Sequence, residues 1–275
     1  MIDTIETIGE GSIIQHGKHN DRVYLMKLKE QDVDMIIDEI VKLADINKYS
    51  KLFCKVPKKF APLFFAEGFI LEAFIPKFDN GKEDVFFVSK FLNADRLLNI
   101  GDKQFSKITQ LLSEEHIIKK NASSYSVRKL TKADVEQMTN IYIQVFESYP
   151  FPIHNREYIL ETMDENVQYF GVEKDGKLVA VSASEVDDVG KNAEMTDFAT
   201  FHSHGGNNLA SLLLKTMEKE MKKQGIKTLY TIARVNSIPM NKTFLRFNYE
   251  YSGTLINNTN ISGQIESMNI YYKHI

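Results

Sequence analysis

A mixed α/β fold, built from two related halves, is what this sequence predicts, and three observations predict it. Strand-like runs alternate with amphipathic helices along the chain, in place of separate all-helical and all-strand regions. Polar turns rich in Gly, Asn and Asp punctuate them. The order of elements in the first half also returns in the second. "YSKLFCKVPKKFAPLFFAEGFILEAFI" runs strand, proline, short helix, Gly-Phe, strand, and "IKTLYTIARVNSIPMNKTFLRFNYEYSGTLI" runs strand, proline, short helix, Asn-Tyr, strand. Upstream, "RVYLMKL" with the helix "QDVDMIIDEIVKLADI" parallels "DFATF" with the helix that follows it, and downstream "DVFFVSK" parallels "MNIYYK". Chance likeness between two α/β segments is the competing explanation.

The elements follow in order. After the first-half strands and helices, residues 93–124 form a helical connector ending in the polar "NASS". A boundary near residue 123 divides the chain into an N-terminal domain (1–123) and a C-terminal domain (124–275). The second domain restarts with "YSVRKL", which alternates like a strand. Thr131 and Asp134 then stand at capping-box spacing before "VEQMTNIYIQVFES", a helix start. The "KDGK" tetrapeptide at 174–177 joins two β-rich runs as a hairpin. "NAEMTDFATF" is the fourth strand, followed by a glycine-rich loop and a long helix. A strand, a short helix in "PMNKTFLRF" and two final strands complete the order β-α-β-β-β-α-β-α-β-β. "INNTNISG" (256–263) is expected as the turn between the last two strands.

Composition narrows the function. Hydrophobic residues at 43% and charged residues at 26% suit a globular protein. A net charge of −3 gives no basic face for nucleic acid. Cys54 is the single cysteine, which rules out an intramolecular disulfide and disfavours a thiolate metal site. His202 and His204 bring no further ligands with them, so no metal is expected. The N-terminus lacks the basic and apolar regions of a signal peptide, and no run approaches a membrane span. A cytoplasmic protein without membrane partners is the expectation.

The stretch "HGGNNLA" (204–210) carries the first chemical signal. It precedes a helix, whose first backbone N–H groups have no intrahelical acceptor and sit at the positive end of the dipole. Gly205 and Gly206 let a phosphate approach without a Cβ in the way, and His204 stands at the edge to add a hydrogen bond. Simple turn chemistry also accounts for a glycine pair. It is neither a Walker loop nor a dinucleotide fingerprint. At the matching place in the first half stand Gln31, Asp32 and Asp34, and the two aspartates would repel a phosphate. That half is therefore expected not to bind such a ligand. On the strand before the loop, Glu194 and Asp197 are an odd number of residues apart, so a regular strand would point them to opposite faces.

Residues 125–275 resemble the GNAT acyltransferases, and nearly the whole chain resembles the β-lysine N6-acetyltransferase family. "YPFPI", "AEMTDFATF", "NNLASLLL", "MNKTFLRFNYEYSGTLINNTNISG" and "ESMNIYYK" carry this resemblance. It implies a GNAT fold with a mixed central sheet, preceded by a smaller, degenerate GNAT-like α/β domain. It implies acetyl transfer from acetyl-CoA to the terminal amine of β-lysine. Against the superfamily signature Gln/Arg-x-x-Gly-x-Gly/Ala, Gly205, Asn208 and Ala210 stand at the fixed positions, and only Ala210 matches. Asparagine visits the left-handed region more easily than most residues, which suits Asn208.

What the resemblance implies for residues follows from these positions. Gly205, Gly206, Asn207, Asn208, Leu209 and Ala210, with His204, would bind the CoA pyrophosphate. The splayed strand would offer Phe198, Ala199 and Thr200 to the acetyl and pantetheine groups, and Asn236 and Asn241 would bond the CoA arm. Glu194 resembles the strand-borne general base, and Asp197 would meet the substrate ammonium. Arg156, after the first helix, would take the substrate carboxylate through its two-pronged guanidinium, with Tyr149 and Phe151 walling the lid. Phe244 occupies the place of the usual proton-donating tyrosine, and Tyr249 and Tyr230 are the other candidates. Alternatives are another acceptor (a polyamine, an aminoglycoside or a protein lysine) or a non-catalytic acyl-CoA sensor. The N-terminal half would complete the pocket or form an intra-chain or homodimer interface.

Overall fold

Each half of the chain folds its strands into one mixed sheet, and the two sheets share a topology. The computed structural model describes residues 3–98, 102–114 and 124–275. In the first half, β1 (Thr4–Ile8), β2 (Ser12–Gly17) and β3 (Arg22–Lys27) form an antiparallel meander. Helix α1 (Val33–Asn47) crosses to β4 (Lys51–Pro57), which runs parallel to β3. The short α2 (Ala61–Ala66) leads to β5 (Ile70–Asp79) and β6 (Glu83–Phe91), giving the order β1-β2-β3-β4-β6-β5. Two connector helices, α3 (Ala94–Leu98) and α4 (Asp102–Ser113), follow. The expected boundary at residue 123 lies outside the described residues.

The second half contains β7 (Ser126–Lys129), α5 (Val135–Val145), α6 (Arg156–Glu165), β8 (Val167–Lys174), β9 (Lys177–Asp187) and β10 (Asn192–Thr200). Helix α7 (Leu209–Lys223) crosses to β11 (Thr228–Arg234), parallel to β10. Then come α8 (Ile238–Arg246), β12 (Glu250–Ile261) and β13 (Gln264–His274). The order β12-β13-β11-β10-β9-β8-β7 reproduces the first sheet in reverse listing, with β7 added at one edge. A single parallel pair, bridged by one long helix, lies at the same place in each sheet. Shared topology of this kind supports duplication over chance likeness.

Local chemistry explains the elements. The Thr131 N–H donates to Asp134 Oδ2 at 2.8 Å, closing a reciprocal capping box that opens a 3-10 turn and then α5. Asp175 (φ 51°) and Gly176 (φ 76°) form the tight turn of the 174–177 hairpin, which needs two positive φ values. Helix α1 buries Ile36, Ile40 and Ala44, one stripe at four-residue spacing, against Leu25, Leu52 and Cys54. Helix α7 does the same with Leu209, Leu213, Leu214, Met217 and Met221. No described helix is long and apolar enough to cross a membrane.

Two expectations need correction. The sequence order omitted α6, which opens where the Asn155 side chain accepts the Glu157 N–H at 2.8 Å. The stretch 256–263 is not simply a turn, because β12 runs on to Ile261 and only Ser262 and Gly263 turn. Its asparagines hold the two halves together. Asn258 O accepts from Arg22 at 2.6 Å, Asn257 O accepts from Arg96 Nε at 2.9 Å, and the Asn260 N–H donates to Asn20 Oδ1 at 2.7 Å.

An apolar seam joins the sheets. Tyr24, Phe53, Phe78 and Phe87 of the first half pack with Tyr230, Leu255, Met268 and Ile270 of the second. Tyr24 stacks on Phe53 at 4.5 Å, and Phe78 meets Tyr230 edge-on at 5.2 Å, each pair contributing about 0.5–1.5 kcal/mol beyond burial. Strands β5 and β12 lie side by side, so close at Gly253 that a Cβ there would fall 2.1 Å from Glu72 O.

Candidate active site

The seam is not closed along its whole length. A cavity of about 100 Å³ opens between the sheets. Arg22, Tyr24, Met26, Phe53 and Lys55 line it from the first half. Glu185, Glu194, Thr196, Tyr230, Ile232, Asn258, Thr259, Ile261 and Met268 line it from the second, and Tyr149, Pro150 and Phe151 form its remaining wall. The β alternation explains the first set. Arg22, Tyr24 and Met26 share one face of β3, while Val23 and Leu25 turn to α1.

Strand β10 shapes the second wall. Its ladder to β11 ends at Glu194↔Tyr230, though β10 continues to Thr200 and β11 to Arg234. The strands therefore splay beyond Glu194. A bulge follows, with one extra residue of β10 between Thr196 and Ala199 relative to β9, and Asp197 there has φ 55°. The bulge overturns the opposite-face expectation for Glu194 and Asp197. Asp197 Oδ1 accepts the hydroxyl of the cavity residue Tyr149 at 2.7 Å and Thr196 Oγ1 at 3.2 Å, so the two carboxylates serve one side of the sheet. The bulge also reverses the facing downstream. Phe198 meets Phe244 edge-on at 5.8 Å on the α7 face, and Ala199 is buried on the α5 face.

Charge is concentrated where Glu194 pairs directly across from Glu185 of β9. Removal from water raises the pKa of both. At Glu185 the neighbouring Glu194 and Asp197 add to the rise, while Lys55 opposes it. At Glu194 the Lys55 ammonium and the Tyr230 hydroxyl oppose the rise, and Asp197 adds to it. Lys55 Nζ also lies 3.4 Å from the Tyr230 hydroxyl. Two like charges sharing a poorly hydrated site do not both ionise freely. Glu185→Gln removes one of them. The acid limb of the rate profile should then stay in place, because desolvation and Asp197 raise the pKa of Glu194 and Glu185 does not, and a series of kcat/KM values across pH checks this. The sign for stability follows as well. A carboxylate with a raised folded pKa contributes stability at low pH that is lost as pH climbs through the folded pKa, so the variant should gain stability over wild type as pH rises.

The loop after β10 holds the other chemistry. His202–His204 form a 3-10 turn, and His204 Nδ1 is fixed by the Tyr125 hydroxyl at 3.1 Å. Gly206 (φ 78°) and Asn208 (φ 59°) both take left-handed conformations. Asn208, at the N-cap of α7, accepts the Ser211 hydroxyl at 2.6 Å without capping a first-turn N–H through its side chain. Asn207 Nδ2 donates to His204 O at 3.0 Å and tightens the loop. Leu209 is buried in the core, so only its backbone faces the loop, and Ala210 is half-buried. Thr200, half-buried, ends β10.

Other sequence candidates lie elsewhere. Arg156 is exposed at the start of α6, outside the cavity, with Glu136 at 4.0 Å. Asn241 is fully buried, and its side chain is consumed internally. It donates to Arg234 O and Ser237 O, both at 2.8 Å, and accepts from Asn269 Nδ2 and the Tyr271 hydroxyl, also at 2.8 Å, which uses two donors and two lone pairs. It has nothing left for the CoA arm. Asn236 is exposed and accepts from Lys107 at 3.2 Å. Phe244 is buried between Phe198, Tyr249 and Tyr271. Sequence reasoning missed Arg22, Lys55 and Glu185. The charged residues in otherwise apolar strands were the available signal for the first two. Nothing local marked Glu185 as the cross-strand neighbour of Glu194.

The first half contains the counterpart of this site without its chemistry. Register equates Tyr24↔Phe53 with Glu194↔Tyr230, so tyrosine stands where the second half has glutamate. At the matching helix start, Asp32 accepts the Glu10 and Ser12 N–H groups at 2.6 and 3.0 Å. A carboxylate fills the place that glycines leave open in the other half.

A parallel strand pair that splays beside a carboxylate, followed by a left-handed turn into a long helix, is the geometry of an acyltransferase. Residues 135–249 match the family model described as Acetyltransferase (GNAT) family, and the protein is an N-acetyltransferase of that class. The β-lysine N(6)-acetyltransferase of Methanococcus maripaludis is 39% identical over 264 residues, covering 95% of this chain and 96% of its own. The enzyme of that name from Methanosarcina mazei is 40% identical over 147 residues, 54% of each chain. The N-acetyltransferase YodP of Bacillus subtilis is 25% identical across 100% of both chains. The chain belongs to the family of the β-lysine N6-acetyltransferases.

Proposed function

We propose that this enzyme moves the acetyl group of acetyl-CoA to the N6 amine of β-lysine. The observation that carries the reading is the cavity holding Glu185 and Glu194 beside the splayed strand, in a chain of this family. An alkyl ammonium with a pKa of about 10.4 cannot attack until it loses a proton. Glu194, its pKa raised toward neutrality by desolvation, takes that proton directly or through water. The freed nitrogen attacks the thioester carbonyl carbon. Backbone N–H groups of the bulged segment 198–200 steady the developing oxyanion. The new N–C bond forms and the C–S bond breaks, and the sulfur leaves as a thiolate that takes up the second proton lost by the nitrogen. A thiol pKa near 8.5 lets this proceed without a strong acid, which suits Phe244 in the tyrosine position.

The loop 204–210 fits a pyrophosphate. The left-handed Gly206 and Asn208 turn the chain into α7, whose first-turn N–H groups lack intrahelical acceptors. Asp197 and Tyr149 orient the ammonium from the lid side. The cavity's size favours a small amine over an aminoglycoside. Residues 1–123 and 124–275 act as two domains with one shared acceptor pocket. Calorimetric titration should give one CoA per chain, because Asp32 occupies the pseudo-equivalent loop. A second equivalent contradicts this. NMR of the product tests the reaction itself. Acetylation on N6 supports it, whereas acetylation on the β-amine, or no product, refutes it.

A further inference from the structure

Arg22 is 3% exposed and lines the cavity. Its Nη1 donates to Asn258 O at 2.6 Å and to Thr259 Oγ1 at 3.1 Å, and Nη2 donates to Gln15 Oε1 at 3.4 Å. All three acceptors are uncharged. Its Nε is buried without a hydrogen-bond partner, and among the described residues no carboxylate forms an ion pair with it. Two other buried cations of this seam have carboxylate partners. Lys51 pairs with Glu72 at 2.9 Å, and Arg96 lies 3.7 Å from Asp21. Burial lowers the Arg22 pKa to about 10, which leaves it charged at neutral pH. A buried cation without a counter-charge is costly.

The placement of this charge is informative. Arg22 pairs in register with Lys51, whereas Lys55, the cation beside the carboxylates, lies four residues further along β4. Four residues span about 13 Å of strand. Tyr24, two residues from Arg22 on the same face of β3, stands in register with Phe53, midway between Lys51 and Lys55 on β4. The cavity therefore has a cationic end and an acidic end. A chain-like molecule with a carboxylate at one end and an amine at the other matches it, and a polyamine does not.

We propose that Arg22, supplied by the N-terminal half, binds the acceptor's carboxylate and so selects an amino acid over a diamine. This rests on the acetyl-transfer reading above and deepens it. It also gives the first domain a reason to persist after losing its own base and phosphate loop. Arg22 is a specificity residue here, distant from the reacting atoms.

Two measurements test it. With the wild-type enzyme, kcat/KM for β-lysine should exceed that for β-lysine amide by about 100-fold, chiefly through KM, since an unpaired buried charge is left behind. In Arg22→Gln, checked for native melting and CoA binding, the ratio of kcat/KM for β-lysine to that for 1,5-diaminopentane should fall by about 100-fold, with Arg22→Lys between. Equal turnover of acid and amide by wild type, or an unchanged ratio in Arg22→Gln, overturns the assignment while leaving the enzyme's activity established. If wild type acetylates neither compound, the acetyl-transfer reading and this inference fail together.

Discussion

Glu194→Gln lowers kcat/KM for acetyl transfer by about 10²–10⁴-fold, the usual contribution of a positioned base, while CoA still binds. The pH profile gives the sharper signature. In wild type the rate climbs with pH as Glu194 loses its proton, and its raised pKa puts that limb well above the range of an ordinary carboxylate. In the glutamine variant this limb disappears. The rate then follows only the amine's own ionisation, so the optimum moves upward. A stopped-rate series from pH 5 to 10 with each protein is the check. An unchanged profile would remove Glu194 from the role. A non-catalytic sensor has no use for a base, so the same variant separates the enzyme from that alternative.

Glu72→Gln destabilises the fold by about 3–5 kcal/mol, the range for breaking a buried ion pair from one side. Glu72 and Lys51 are almost wholly buried, with Nζ and Oε2 2.9 Å apart. The pair ties four strands together. Lys51 Nζ donates to Ile256 O and the Ile256 N–H donates to Glu72 Oε1, both at 2.7 Å, and the Ser89 hydroxyl donates to Glu72 Oε2. The variant leaves the ammonium buried without its counter-ion. Burial already lowers the Lys51 pKa to about 8, with Glu72 holding it up. The folded state binds fewer protons than the unfolded chain between that value and the ordinary 10.5, so stability rises with pH across this window. Removing Glu72 deepens the shift. The deficit against wild type should therefore shrink from pH 7 to pH 10 in urea melts. A constant deficit contradicts the assignment to an unpaired ammonium.

The sequence disclosed local signals and hid the long-range ones. Thr131 and Asp134 cap a helix start, and Lys174–Lys177 turn a hairpin, because each depends on a few adjacent residues. The left-handed Asn208 was legible for the same reason. The echo between the halves was visible in element order, which survives when identity does not. Asp197 was misplaced because a bulge breaks the two-residue alternation on which facing is judged. Helix α6 was hidden by its mixed polarity after a proline-rich turn. The pocket was the least legible feature. Arg22 and Asn258 are 236 residues apart, and only the packing of the two sheets brings them within 2.6 Å. Arg156, the arginine that closeness in sequence favours, is exposed in the fold and outside the cavity.

The duplication also explains a division of labour. The second half has the glutamate and the open loop. The first half has Tyr24 and Asp32 in their places, and one face of its sheet lines the cavity.

The most direct measurement is the initial rate of thiol release from acetyl-CoA with β-lysine, α-lysine, spermidine, an aminoglycoside and a lysine-containing peptide as acceptors. Fast turnover with β-lysine, and far slower turnover with the rest, is the predicted result. Binding of CoA without turnover on any amine, or faster turnover with spermidine than with β-lysine, would contradict it.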